Sequence, residues 1–195
     1  MPNISAHMIV AKEVGKKLNL TSDDYLRGNL LPDILNSNDS HHKIQSKIYL
    51  IPDINYFLNT LDLSKDINIG YLVHLLLDKH YLDDYLSNIY STNIFLDGLI
   101  YKDYDYINNK LINKYKLNTN KLTSILSKYD CKINKEKLKY NIECLNQNKN
   151  NKTKYLDYNS FYNFLIDISS TIAKELIEYA SKSIELSLRL RQWKK

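Results

Sequence analysis

Apolar residues recur every three or four positions along most of this chain, the spacing of helices with one face turned inward. Ile4, Met8, Ala11, Val14 and Leu18 form such a stripe over residues 4–18, with Asn3 or Ser5 available as a cap. Thr21 or Ser22 then caps a short helix through Tyr25 and Leu26. The segment GNLLPD at 28–33 is expected to be irregular, because the residue before Pro32 is pushed out of the helical region. The polar run NSNDSHHK at 36–43 predicts an exposed loop. Pro52 and Asp53 open a further helix through Phe57 and Leu61, with Asp53 at the positive end of its dipole. Residues 67–89 carry the clearest helical pattern, and residues 94–101, 104–115, 119–129 and 135–145 predict four more helices. The low-complexity run that starts at 146 predicts a flexible loop to about residue 156. A long last helix follows at 158–192, with Phe161, Phe164, Leu165, Ile168, Ile172, Leu176, Tyr179, Ile184 and Leu188 near one stripe. No segment alternates cleanly with period two. The pattern predicts an all-α fold, a compact multi-helix bundle in one domain over residues 1–195.

Composition narrows this picture without changing it. Apolar residues make up 44% and charged residues 25% of the 195, as in ordinary globular proteins. Four glycines and three prolines argue against a fold of many tight hairpins. No stretch approaches the roughly 20 apolar residues that span a bilayer, so no transmembrane segment is expected. The first residues, MPNISAHMIVAKEVGKK, place their lysines after a short apolar run and offer no small-residue cleavage site, unlike a signal peptide. Cys131 and Cys144 have no metal-type spacing and are too few for a disulfide framework, so free thiols and a cytoplasmic location are the expectation.

Charge is unevenly placed. Residues 1–100 hold 8 Lys/Arg against 12 Asp/Glu, net −4, and residues 101–195 hold 19 against 10, net +9. All five histidines fall within the first 80 residues. Carboxylate and neutral imidazole are ligands for divalent cations, so the acidic half suits a metal site. The basic half suits attraction of an anionic, phosphate-containing substrate, and equally the simple solvation of helices.

The helix at 67–89 contains the sharpest constellation. His74 and Asp78 are four apart, so their side chains share one helix face with about 5–6 Å between Cβ atoms, within reach of one ion. Leucines and a valine surround them, so this helix is central and its His and Asp need partners. His80 lies about 240° around the wheel from His74, and pairs instead with Asp84. Asp33 lies just past the expected chain break, at the mouth of a bundle. His41 and His42 lie in a loop able to fold over it, and His7 faces inward on the first helix. Ligands drawn from separate segments are how metal sites in bundle cores are built.

These residues carry a resemblance. ISAHMIVAKEV at 4–14, GNLLPDI at 28–34, DSHHK at 39–43 and GYLVHLLLD at 70–78 look like the zinc-dependent phospholipase C family. The resemblance covers about residues 3–90, and the family's all-helical fold is shared more widely with fungal single-strand nucleases. It implies that Asp33, one of His41 or His42, His74 and Asp78 hold a first metal. It also implies that His7 and Asp78 hold a second, with Asp78 bridging and a metal-bound hydroxide attacking a phosphodiester. Asp33 is the implied catalytic residue where it is not fully engaged as a ligand. The family's further site needs later histidines, and this chain has none after His80. Asp84, six past Asp78, stands where a ligand would replace one of them. The resemblance therefore implies one or two zinc ions, and manganese and iron accept the same ligands.

Two functional classes follow. The first is a metal-dependent phosphoester hydrolase. The second is a non-catalytic helical binding or scaffold protein whose metal is structural or absent. The basic end SLRLRQWKK suits weak contact with an anionic membrane surface or with nucleic-acid phosphate, and equally a solvated helix end.

Overall fold

A computed structural model describes residues 2–35, 40–46, 49–87, 97–127, 133–146, 153 and 155–182. It is all-α apart from one small hairpin. Eight α-helices occur among the described residues: α1 (Ile4–Leu18), α2 (Asp23–Ile34), α3 (Ile54–Thr60), α4 (Asp66–His80), α5 (Asp97–Tyr115), α6 (Thr119–Ser127), α7 (Lys135–Asn146) and α8 (Tyr158–Lys182). A π-helical turn, Tyr81–Leu86, continues α4. The hairpin pairs β1 (Lys43–Gln45) antiparallel with β2 (Leu50–Pro52), Ile44 lying opposite Ile51. Three-residue strands are too short to display a period, so the sequence pattern carries no sign of them.

Side-chain caps start the first three helices near the expected positions. The Asn3 side chain accepts from the Ala6 N–H at 2.9 Å, and Asn19 closes α1 in the left-handed region. Ser22 Oγ caps α2 by accepting from Tyr25 N–H, and its own hydroxyl donates to Asp66 Oδ2 at 2.6 Å. That bond ties the start of α2 to the start of α4. Asp53 caps α3.

From there α2 and α4 run side by side in the same direction, at a separation that two glycines permit. A Cβ on Gly28 would stand 1.8 Å from the Ile67 carbonyl oxygen, and one on Gly70 2.0 Å from that of Tyr25. Backbone therefore meets backbone. This contact explains a departure from the sequence reading: residues 28–33 are not irregular but lie within α2, which continues through Pro32. Proline there removes only the bond to the Gly28 carbonyl, two residues before the helix ends, and packing along α4 outweighs that loss. Asp33 consequently sits in the last turn of α2.

Apolar residues from Ile4 to Ala180 form one core. α1 is buried on nearly every face, with α8 along one side, and Phe161, Leu165, Ile168, Ile172 and Leu176 make the buried stripe of α8. Residues 97–115 form one helix where the sequence pattern predicts a helix at 94–101 and another at 104–115. The end of the expected loop at 146–156 is fixed: Asp103 Oδ2 accepts from the N–H groups of Tyr155 and Leu156 at 2.6 and 2.8 Å. The last residues of the expected C-terminal helix, 183–192, and the basic end with Trp193 lie outside the described residues, as does Cys131. Among the described residues, no helix is long and apolar enough to cross a membrane.

Candidate metal centre

Five of the seven expected ligands converge. His7 comes from α1, Asp33 from the last turn of α2, His41 from the segment before β1, and His74 and Asp78 from the middle and last turn of α4. Their ligand atoms form two groups placed to hold a metal ion, His7–His74–Asp78 and Asp33–His41–His74, each with all atoms within 4.8 Å of one another. His7, His74 and Asp78 are fully buried, and the Asp33 side chain, 23% exposed, opens the cluster toward solvent.

Most distances within the cluster are longer than those of hydrogen bonds. Asp78 Oδ2 lies 3.2 Å from His41 Nε2 and 3.3 Å from His74 Nε2, and Asp78 Oδ1 lies 3.4 Å from His7 Nε2. Asp33 Oδ1 lies 3.7 Å from His74 Nε2 and 3.9 Å from His41 Nε2. Hydrogen bonds of this type run at about 2.7–3.2 Å. Ligands held at about 2.0–2.1 Å around a tetrahedral ion stand roughly 3.3–3.4 Å apart. The observed spacings centre on the second distance. Both Asp78 oxygens, His41 Nε2, His74 Nε2 and both His7 ring nitrogens are buried without a hydrogen-bond partner. Buried polar atoms are almost always satisfied, so a concentration of six marks a missing partner.

The imidazole of His74 sharpens this point. Its Nδ1 lies 2.7 Å from the Asn29 carbonyl oxygen, which can only accept, so Nδ1 carries the proton. In the neutral ring Nε2 then presents a lone pair to two carboxylates. A cation placed between them, a proton or a metal ion, relieves that arrangement. Fixing a ligand ring through its other nitrogen and a backbone carbonyl is the usual support for a metal-bound histidine. In the amide orientation that gives both atoms a partner, the Asn29 side chain donates to the His7 carbonyl at 3.0 Å and accepts from the His74 N–H at 3.3 Å. One buried asparagine thus ties α1, α2 and α4 together at the cluster.

Charge is distributed unequally among these groups. Burial penalises the His74 imidazolium, but Asp33, Asp78 and the Asn29 carbonyl outweigh it and raise the His74 pKa above 6.5. His7 stacks on His74 with ring centroids 3.7 Å apart and planes within 7°. Burial, and then the charge of His74, hold His7 below the ordinary value. Burial also opposes the Asp78 anion, yet His74, His41 and His7 together keep its carboxyl well below the usual range.

Two expected ligands are placed elsewhere. His42 has φ 30°, in the left-handed region, and the two rings take different places. His41 enters the cluster while His42 stacks on Tyr56 at 3.8 Å. Ser40 and His41 are also buried, correcting the expectation of an exposed loop across 36–43. Asp84 is engaged with His80, whose Nδ1 lies 2.6 Å from Asp84 Oδ2 and whose Nε2 lies 3.0 Å from Glu175 Oε1. The turn that follows His80 is π-helical, and it carries Asp84 onto the α8 side, away from Asp78. Asn29, Ser40 and Tyr71, which hold the ligand segments, have no signal in spacing or composition. Asn29 precedes Asp33 by four, a same-face relation visible only once residues 23–34 are known to be helical.

Divalent zinc fits this donor set of three imidazoles and two carboxylates, and manganese and iron accept it as well. Comparison with protein-family models, with curated proteins and with solved structures gives no match for this chain.

Proposed function

We propose that the protein is a metal-dependent phosphoester hydrolase whose centre is built from His7, Asp33, His41, His74 and Asp78. The observation that carries the reading is the convergence of five ligand residues in two groups at ligand spacing, four of them with buried unpartnered ligand atoms. A divalent ion bound there supplies Lewis acidity, acidifying water and neutralising phosphoryl charge. The chain's own residues do the rest. Asn29 and Asp78 hold His74 in one orientation, and Asp78 divides its two oxygens between His7 on one side and His41 with His74 on the other. Asp33, the solvent-facing member, stands to accept a proton from water or to complete the ligand set. The positive second half of the chain draws an anion toward this acidic half. The resemblance of residues 3–90 to the zinc-dependent phospholipase C family supports the same chemistry.

A second reading, a structural metal in a binding or scaffold protein, is favoured by the depth of the cluster. Structural sites are closed, and three of these five residues are fully buried. Elemental analysis of the purified protein, with turnover of a chromogenic phosphodiester by the wild type and by Asp33→Asn, separates the two. Hydrolase function predicts bound metal in both and a turnover about 100-fold or more lower in the variant. Bound metal with no turnover in the wild type contradicts it and leaves the structural role.

A further inference from the structure

A neutral imidazole has one N–H, so a histidine that gives a lone pair to a cation through one nitrogen needs an acceptor for the proton on the other. His74 and His41 meet this need differently. The Asn29 carbonyl beside His74 Nδ1 only accepts, so that ring is preset in every state. Beside His41 Nδ1, at 2.9 Å, is the buried hydroxyl of Ser40, which both donates and accepts and rotates to suit.

This hydroxyl gives His41 Nδ1 a partner in either of two arrangements. In the first, Ser40 donates to Nδ1 and the ring proton is on Nε2, which lies 3.2 Å from Asp78 Oδ2. With a cation between His41 and Asp78, the proton sits on Nδ1 and Ser40 accepts it. The backbone around this pair is pinned at both ends. The Tyr71 hydroxyl, from the turn of α4 before His74, donates to the Ser40 carbonyl. The Asp53 N–H donates to the His42 carbonyl at 2.8 Å.

We infer that Ser40 is the positioning residue for His41, its hydroxyl switching between donor and acceptor so that His41 changes tautomer as the centre takes up a metal ion, with Tyr71 anchoring the Ser40 backbone. The inference rests on the metal-centre reading and names a residue outside the ligand set. Alanine at 40 leaves Nδ1–H without an acceptor in the loaded state. Threonine keeps a hydroxyl on the same atom.

The test uses full-length protein and zinc alone. Zinc affinity is measured by competition with a chromophoric chelator for wild type, Ser40→Ala, Ser40→Thr, Tyr71→Phe and His74→Ala, with helical content checked by circular dichroism. Ring-nitrogen NMR reports the His41 tautomer in metal-free and zinc-loaded wild type. Ser40→Ala and Tyr71→Phe are expected to bind zinc about 10–100-fold more weakly than wild type. Ser40→Thr should stay close to wild type, and the His41 proton should move from Nε2 to Nδ1 on loading. Wild-type affinity in Ser40→Ala, an equal loss in Ser40→Thr, or a His41 tautomer unchanged by zinc overturns the inference. If His74→Ala loses zinc while Ser40→Ala keeps it, the metal centre stands and only the role of Ser40 falls. If the wild type takes up no zinc, the metal reading itself falls, and the inference with it.

Discussion

At the scale of single residues, the decisive contact is the one between His74 Nδ1 and the Asn29 carbonyl. It fixes which nitrogen faces Asp33 and Asp78, and so leaves a buried His–Asp pair placed to receive a cation. His74→Ala and Asp78→Asn should each weaken zinc binding by more than the roughly 10–100-fold that loss of an outer partner costs. His42→Ala should leave it unchanged, because that ring packs on Tyr56. Chelator competition on the three variants checks both statements. The proximity of His74 and Asp78 was legible in the sequence, since four-residue spacing places both on one helix face. The choice between His41 and His42 was not, because adjacent histidines in a polar loop carry no periodic signal that tells the inward ring from the one on Tyr56. Ser40 and Tyr71 were invisible for another reason: they act through bonds of 31 residues' separation or within a loop, which no periodicity encodes.

Helix pairing sets where those residues meet. Gly28 and Gly70 let α2 and α4 touch along their backbones, which brings Asn29 and Asp33 onto His74. Gly28→Ala or Gly70→Ala forces the helices apart and should destabilise the protein by about 1–3 kcal/mol, read as a lower denaturant midpoint, and should weaken metal binding as well. The sequence showed both helices as patterns but not their contact. Pro32 argued locally for a break that the packing of α2 overrides. His80 makes a second tie, between α4 and α8, standing between Asp84 and Glu175. Burial disfavours its charged form, but Glu175 and then Asp84 outweigh burial and raise its pKa above 6.5. A raised folded-state pKa contributes stability that is fully present below the unfolded value and is lost as pH rises through the folded one. Stability of the metal-free protein should therefore decline as pH is raised above about 6.5, and Glu175→Gln should flatten that decline. Urea midpoints between pH 6 and 9 measure it, and an equally steep variant contradicts the assignment.

Across the whole molecule, the acidic first half supplies every residue of the centre, and α8 from the basic second half packs along α1 and α4, two of the helices that carry it. The all-α class and most helix positions followed from apolar spacing, because a core-facing stripe is the strongest signal a sequence carries. Short strands and the π-helical turn did not, since each is too brief to show a period. A ligand drawn from α1, α2, the pre-hairpin segment and α4 makes metal uptake a whole-fold event. An ion present at about 100 times its dissociation constant contributes about 2.7 kcal/mol, which for a chain of this size raises the unfolding midpoint by about 5–10 °C. Addition of chelator should reverse that rise. The most direct test of the centre is anomalous diffraction from crystals at the zinc absorption edge. The account predicts one strong peak or two close ones bounded by His7, Asp33, His41, His74 and Asp78. Crystals grown with zinc that show no anomalous density there, with His41 and His7 instead bonded to Asp78 through their own N–H groups, would contradict it.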